Sequence, residues 1–206
     1  EDALTITWAR RFAPYKRPEL LFKDIDKLSE ILKNTKRPVQ IVVAGHAHRA
    51  DKEGQELIHH IKKLAEDKRL KGSVVYLPFY NLDVAKILVS GSDIWLSTPQ
   101  RGKEACGTSS MKACLNGVLQ FSTSDGWLEE VDWSDKGWIL PDTHTARHLY
   151  RILEKEMVPM FYVRNSAGIP SEWVRMMRQV IALVEKYYSA ERMINDYIKT
   201  LYFPQK

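Results

Sequence analysis

The residues best suited to chemistry lie in one stretch, KEACGTSSMKACLNG, which runs from Lys103 to Gly117. Its small residues, Gly107 to Ser110, are typical of a turn that enters a helix, whose first N–H groups can bind an anion. Lys112 follows beside small apolar neighbours, near a predicted helix start, where the helix dipole disfavours a cation. Burial of its amine would lower the pKa of Lys112 and favour Schiff-base chemistry. An ordinary exposed lysine is the alternative.

A second group of charged residues, RRFAPYKR, runs from Arg10 to Arg17 directly after the first apolar run of the chain. Arginine offers oxyanions a planar fork and lysine a point charge, so this group suits a phosphate. The alternative is a basic start to a helix, which the helix dipole disfavours.

Several other residues could also bind a ligand, but their types and spacing are less specific to one kind of chemistry. Glu104 could bind sugar hydroxyls or be an ordinary loop carboxylate, and Trp127 of the SDGW turn could stack on a sugar or cover the sheet. His46 and His48 form a His-x-His pair without a third ligand nearby, so we expect no metal. The sequence contains no P-loop, no G-x-G-x-x-G fingerprint and no Ser-His-Asp order.

The bulk properties are those of a globular protein with a mildly basic surface. The 206 residues are 44% hydrophobic and 28% charged, which excludes a disordered chain. The net charge of +5 is spread along the sequence, so nucleic acid is not the expected partner. Two cysteines favour a reducing, cytoplasmic compartment, and no apolar run is long enough for a membrane span.

Short apolar runs alternate with helical patterns, which predicts an α/β protein with a Rossmann-like, doubly wound parallel sheet. Such sheets bind ligands beyond the carboxyl ends of their strands. The predicted strands are Leu4–Trp8, Val39–Ala44, Ser73–Leu77, Asp93–Ser97, Val118–Ser122 and Gly137–Leu140, and the predicted helices between them are Arg17–Asn34, Lys52–Glu66, Leu82–Val89 and one around Lys112.

The last third of the chain is predicted to be helical. One helix spans Thr145–Met157, Ser171 caps a long helix, and Ser189 caps a final helix that Pro204 prevents from continuing. The Met and aromatic stripe of the long helix is interpreted as core packing. We therefore expect a single unit, residues 1–206, whose residues 170–206 are carboxyl-terminal helices.

Two segments resemble those of a known family, the α-glucan (glycogen, starch, maltodextrin) phosphorylases. EACGTSSMKACLNGVLQFSTSDG resembles their cofactor segment, RRFAPYKR resembles their phosphate-binding segment, and the likeness extends from VAGHAH to YYSAERMINDYI. The resemblance implies transfer of terminal glucose to inorganic phosphate with retention, giving glucose 1-phosphate. It also implies pyridoxal 5′-phosphate on Lys112 as a Schiff base, with the cofactor phosphate acting as acid and base.

The resemblance assigns roles to individual residues. Asn81 departs from the family, because animal phosphorylases carry an arginine there that touches the cofactor phosphate. The implied catalytic residues are Arg11 and Lys16, which hold substrate phosphate, and Lys112; the implied cofactor-binding residues are Lys112, Thr108, Ser109, Arg10 and Tyr80; and the implied glucose-binding residues are Glu104, Ala105, Cys106 and Gly107.

The resemblance also implies that this chain is one half of a two-domain, glycosyltransferase-B-type architecture. The abrupt start without methionine fits a carboxyl-terminal domain whose amino-terminal partner is absent, so we expect the chain alone to be nearly inactive. The parent is a possible homodimer, and cleft residues such as Phe12, Phe79 and Trp127 are expected to be exposed. Two alternatives stay open: a nucleotide-sugar glycosyltransferase resembling glycogen synthase, and a noncatalytic phosphate- or glucan-binding module.

Overall fold

A computed structural model describes residues 3–203, which form a six-stranded parallel sheet flanked by helices. The predicted α/β, Rossmann-like fold is confirmed. The strands are β1 (Leu4–Ala9), β2 (Val39–Ala44), β3 (Val74–Leu77), β4 (Ile94–Ser97), β5 (Leu119–Thr123) and β6 (Gly137–Leu140), and the helices are α1 (Ile25–Leu32), α2 (Lys52–Ala65), α3 (Leu82–Gly91), α4 (Thr108–Leu115), α5 (Thr145–Ile152), α6 (Val158–Tyr162), α7 (Ser171–Tyr188) and α8 (Ala190–Tyr197).

The strand order is β3-β2-β1-β4-β5-β6. The chain winds outward from β1 through β2 to β3, then returns to the middle and continues from β4 to β6. The switch of direction therefore falls between β1 and β4, which pair through Ile6 with Ile94 and Thr7 with Trp95. In doubly wound sheets, ligands bind at the carboxyl ends of the strands that flank such a switch, in the crevice beside the loops that leave them.

The two faces of the sheet are covered unequally. Alternate residues such as Ile6 and Ile41 face one side, where they share a large core with α1, α2, α5 and α7. The opposite side carries a smaller cluster in which Trp95 packs with residues of α3 and α4. On that side Val75 of β3 is 46% exposed, so the prediction of full burial on both faces is wrong at this edge.

The predicted helix Arg17–Asn34 is wrong over its first half. One 3₁₀ turn, Pro14–Lys16, precedes that region, a second, Pro18–Phe22, occupies it, and the α-helix begins only at Ile25. Arg17 lies between the turns in a left-handed conformation with φ of +46°. A residue before proline is disfavoured in the helical region, and Pro18 therefore prevents a helix from starting at Arg17.

The carboxyl-terminal helices differ from the predictions at their ends. The predicted helix Thr145–Met157 continues through a π-helical segment, Leu153–Met157, into α6. Ser171 is the first residue of α7 rather than its cap, whereas the Ser189 hydroxyl accepts a hydrogen bond from the Arg192 amide and caps α8 as predicted. Pro204 lies outside the described residues.

The predicted stripe along α7 is core packing except at its last member, because Tyr187 is 49% exposed. Trp173, Met176, Val180 and Val184 are each at most 3% exposed and belong to the large core.

Over residues 3–203, no helix combines the length and apolar character needed to cross a bilayer.

Candidate functional site

The candidate site lies at the switch point, where the loops after β1 and β4 are joined. The Arg17 guanidinium donates to the carbonyl oxygens of Thr98 at 2.9 Å and Pro99 at 2.8 Å. The Gln100 amide donates to the Tyr15 carbonyl at 2.6 Å. Since a guanidinium presents its donors in a rigid fork, Arg17 fixes the spacing of the two loops. The segments that carry the predicted site residues thus form one unit.

Lys16 and Glu104, which are 88 residues apart in the sequence, form an ion pair at this junction. The Lys16 ammonium lies 2.6 Å from Glu104 Oε2, and the two side chains are only 9% and 13% exposed. The ammonium also lies 4.9 Å from the centre of the Tyr15 ring. Burial reduces screening by water, so each charge depends on the other for its partner. The structure therefore brings a predicted phosphate ligand into contact with a predicted sugar ligand.

Arg10 follows β1 directly and is buried beside this pair, with 8% of the residue exposed. Its guanidinium lies 5.7 Å from the centre of the Trp8 ring, and within the described chain its Nε finds no hydrogen-bond partner. Burial lowers its pKa to about 10, and the negative charge of Glu104 opposes that shift. Arg10 is therefore still a cation at neutral pH, and it lacks a full set of acceptors.

Tyr80 lies close enough to Arg10 for their charges to interact. The ring is half-buried in the smaller cluster, and burial raises the pKa of its hydroxyl, an effect that the Arg10 charge opposes. Its neighbour Asn81 caps α3, because its side-chain oxygen accepts a hydrogen bond from the Val84 amide at 2.9 Å. The departure from the family at Asn81 therefore has a structural use at the start of α3.

The start of α4 supplies amides that suit an anion. Gly107 precedes the helix with φ of +81°, a conformation that glycine adopts without strain. Thr108 and Ser109 occupy the first turn, where the N–H groups have no intrahelical acceptor. Ser110 is buried, and its hydroxyl donates to the Gly107 carbonyl at 2.6 Å. This contact holds the turn in the shape that presents the two preceding amides.

Lys112 is exposed, as in the alternative interpretation of an ordinary exposed lysine, and it is not buried as the Schiff-base interpretation expected. It is the fifth of eight residues in α4 and lies in the last turn, where the helix dipole favours a cation. Lys112 nevertheless shares a helix face with Thr108 and Ser109, since residues three and four apart are neighbours on a helix. The Lys112 side chain therefore lies on the same face of α4 as the side chains of Thr108 and Ser109.

Three further predicted residues lie in the loops that follow β1 and β4. Arg11 is exposed, and over residues 3–203 it makes no ion pair. Ala105 is exposed and Cys106 is half-buried. Burial is the main cause of a raised pKa at the Cys106 thiol, and the charges of Glu130 and Glu104 add to it.

Two of the three aromatic residues predicted to be exposed in the cleft are buried. Phe12 is fully buried and Trp127 is 2% exposed, whereas Phe79 is 81% exposed as predicted. Trp127 therefore covers the sheet and cannot stack on a sugar. His46 and His48 are exposed, and the described chain holds no cluster of three His, Cys, Asp or Glu side chains that could bind a metal.

The sequence interpretation missed Asp125, in the loop after β5. Its buried carboxylate accepts hydrogen bonds from four backbone amides, three of which belong to the segment that carries Glu104. The Asp-Gly pair after a buried strand was a signal for a tight turn, but it gave no indication that the carboxylate would face another loop.

Comparison with known proteins gives one consistent result. A model of the carbohydrate phosphorylase family matches residues 2–135. Over 98% of its length the chain is 40% identical to a glycogen phosphorylase of Aquifex aeolicus and 37% identical to one of Mycobacterium tuberculosis. It is 36% identical, over 98% of its length, to a maltodextrin phosphorylase of Thermococcus litoralis. The chain covers 30%, 25% and 25% of these relatives, respectively.

Proposed function

This chain belongs to the carbohydrate phosphorylase family, and from that premise we propose that it is the carboxyl-terminal, cofactor-binding part of an α-glucan phosphorylase. The proposed reaction transfers the terminal glucose of a glycogen-like chain to inorganic phosphate with retention, giving glucose 1-phosphate. Because the chain spans about a quarter to a third of the relatives' length, this activity is proposed for a longer protein that contains it.

One observation carries the proposal: three groups that favour an anion follow β1 and β4, the two strands that flank the switch point of the sheet. Arg10 is a buried cation whose Nε has no acceptor in the described chain. Lys16 is a second buried cation, and the first turn of α4 adds amides and the positive end of its dipole. An unsatisfied donor on a buried cation costs free energy, so a site of this composition favours a bound anion. A phosphorylase needs places for two phosphate groups.

The residues fit pyridoxal 5′-phosphate as the resident group. Arg10 would neutralise its phosphate, the amides of Thr108 and Ser109 would donate to that phosphate, and the Lys112 amine would hold the ring end from the same face of α4. Tyr80, beside Arg10, would limit the access of water to the group. When bound, the cofactor supplies a phosphate that exchanges a proton with the substrate phosphate.

Lys16 and Arg11 are the proposed ligands of inorganic phosphate. Arg11 is exposed and without an ion pair over residues 3–203, so it can turn toward a ligand at little electrostatic cost. Lys16 is already paired with Glu104. An anion at Lys16 would compete with that carboxylate, and Glu104 would then be available to a sugar hydroxyl. The segment from Glu104 to Gly107 is proposed to contact the glucosyl ring.

We propose that a second, amino-terminal domain covers the site at the switch point. The exposed Lys112 and Arg11 would lie at the closed interface. We expect the chain alone to show almost no phosphorolysis, because half of the sugar contacts would be supplied by the other domain. Addition of the separately produced amino-terminal part should restore turnover, which a noncatalytic binding module would not show.

The direct test is to map where pyridoxal 5′-phosphate attaches. The purified chain is incubated with the cofactor, reduced with borohydride, digested and analysed by mass spectrometry. We expect one dominant adduct on Lys112, absent from Lys112→Ala and unchanged in Lys86→Ala, whose lysine is exposed on α3. Uniform labelling of surface lysines would contradict the assignment of Lys112. Turnover of a nucleotide sugar without cofactor attachment would instead support the glycosyltransferase alternative.

A further inference from the structure

We propose that Asp125 is a positioning residue for this site, which holds Glu104 and the start of α4 in place from behind. The inference rests on the proposed function, because it assigns a role in the same site. Asp125 lies in the loop after β5, on the side of the site segment that faces the protein interior. It is 5% exposed, so it cannot itself contact a substrate in the crevice.

The hydrogen bonds of the Asp125 carboxylate show what it holds. Oδ2 accepts from the amides of Glu104 at 2.8 Å and Lys103 at 3.2 Å. Oδ1 accepts from the amides of Gly102 at 3.1 Å and Gly126 at 2.9 Å. A carboxylate has about four acceptor sites, so this group is fully used by backbone N–H donors. Bonds of this kind to an ionised acceptor are stronger than bonds between neutral groups.

The two residues that follow Asp125 contact the same segment further along. Gly126 has φ of +58°, and a Cβ built there would lie 2.7 Å from the Cys106 carbonyl oxygen, so only glycine permits this approach. Trp127 Nε1 donates to the Ser110 hydroxyl at 2.8 Å. The loop after β5 thus contacts the site segment at its beginning, middle and end.

This arrangement gives Asp125 a role that differs from general support of the fold. Gly102 and Lys103 are exposed, and an exposed loop is ordinarily free to move. Glu104 must nevertheless place its carboxylate 2.6 Å from Lys16. The bond from the Glu104 amide to Asp125 fixes the backbone from which that side chain extends. Loss of the carboxylate should therefore disorder the site segment before it affects the sheet.

The first measurement uses the unaltered chain. Hydrogen exchange resolved by residue should show the amides of Gly102, Lys103 and Glu104 exchanging at least about 100-fold slower than in an unstructured chain, despite the exposure of the loop. Exchange at the unstructured rate would overturn the proposal without any variant being made.

The second measurement compares Asp125→Asn with Asp132→Asn. Asparagine keeps one carbonyl oxygen and directs an NH₂ group at amide donors, so it can satisfy at most two of the four amides. Asp132 accepts from the exposed Ser134 amide and serves as the matched control. We expect exchange at residues 102–104 to rise at least about tenfold in Asp125→Asn only, and cofactor attachment to Lys112 to fall by a similar factor. Unchanged attachment in a folded Asp125→Asn chain would refute the positioning role.

Chemical rescue separates positioning from a general loss of stability. Asp125→Ala leaves a small space lined by amide donors, which formate can occupy as a replacement carboxylate. Added formate should restore both slow exchange at residues 102–104 and cofactor attachment, whereas chloride at the same ionic strength should restore neither. Failure of formate in a folded variant would count against the proposal. If the unaltered chain takes no cofactor at Lys112, the proposed function fails, and the exchange measurements still decide whether Asp125 holds the loop.

Discussion

Replacement of Glu104 by glutamine should destabilise the chain and at the same time increase its response to phosphate. The substitution keeps the shape of the side chain and an oxygen that can accept a hydrogen bond, but it removes the negative charge opposite Lys16. Both side chains of the pair are about nine-tenths buried, and the Lys16–Glu104 distance is 2.6 Å. Lys16 would then remain a buried cation next to a neutral partner.

The size of the effect follows from this burial. Breaking a buried ion pair costs about 3–5 kcal/mol, and because the glutamine oxygen can still accept from Lys16 we expect about 2–3 kcal/mol. For a chain of this length, that corresponds to a fall in melting temperature of roughly 4–12 °C. The exposed pair Lys86–Asp83, at 3.6 Å, provides a control, and Asp83→Asn should change stability by less than about 0.5 kcal/mol.

The assay is a double-mutant cycle with and without inorganic phosphate. Unfolding is measured for Glu104→Gln, Lys16→Met and the double variant, and the two losses should not add, because the second substitution removes the charge that the first left unpaired. Phosphate at about 100 times its dissociation constant stabilises a binding protein by about 2.7 kcal/mol. This gain should appear at lower phosphate concentrations in Glu104→Gln than in the unaltered chain, since no carboxylate competes for Lys16.

Two results would refute this reasoning. Additive losses, within about 0.5 kcal/mol, would show that the two charges do not depend on each other. An equal response to phosphate in Glu104→Gln and the unaltered chain would show that Lys16 does not become available to an anion.

Two further predictions concern the support of the site. Gly45→Ala should destabilise the chain by more than about 3 kcal/mol in urea unfolding, because the new Cβ would lie 1.9 Å from the Arg10 carbonyl oxygen. Gly91→Ala in α3 is the control and should stabilise the chain slightly, because open space surrounds its Cβ. Equal effects of the two substitutions would contradict this prediction. Burial raises the pKa of Tyr150 to about 12, against about 10 in an unfolded chain, so the folded state holds this proton to a higher pH. The resulting stabilisation, at most about 3 kcal/mol, is lost as pH rises from 10 through 12. Tyr150→Phe should be less stable at pH 8, because the hydroxyl donates to the Leu21 carbonyl, and its stability should fall less steeply over that interval than that of the unaltered chain.

Much of the fold could be predicted from the sequence because its signals are local. The run Val39–Ala44 is continuously apolar apart from Gln40, and such runs between helical patterns are typical of buried parallel strands. The predicted strands all exist, with ends shifted by at most one residue. Parallel strands joined by right-handed crossovers then leave few arrangements, so the edge that carries the candidate site was predictable as well.

The errors fall where a local signal was weighed wrongly or did not exist. Pro18 should have ended the predicted helix at its start, because the residue before a proline avoids the helical region. The π-helical segment Leu153–Met157 has no recognisable pattern, since one extra residue in a turn leaves the apolar periodicity nearly intact. The sequence left burial and exposure of Lys112 open, because small neighbours in sequence do not determine what packs against a helix face.

The sequence by itself determined the elements, their order and the types of residue at the edge of the sheet. Only the tertiary structure decided which of those residues meet. Lys16 pairs with Glu104, and Asp125 accepts from the Glu104 amide 21 residues away. Periodicity encodes which side of an element is buried, but the strength of a charge pair depends on distance and on the exclusion of water. Both quantities are set when separate loops fold against each other, and neither can be read from the order of residues along the chain.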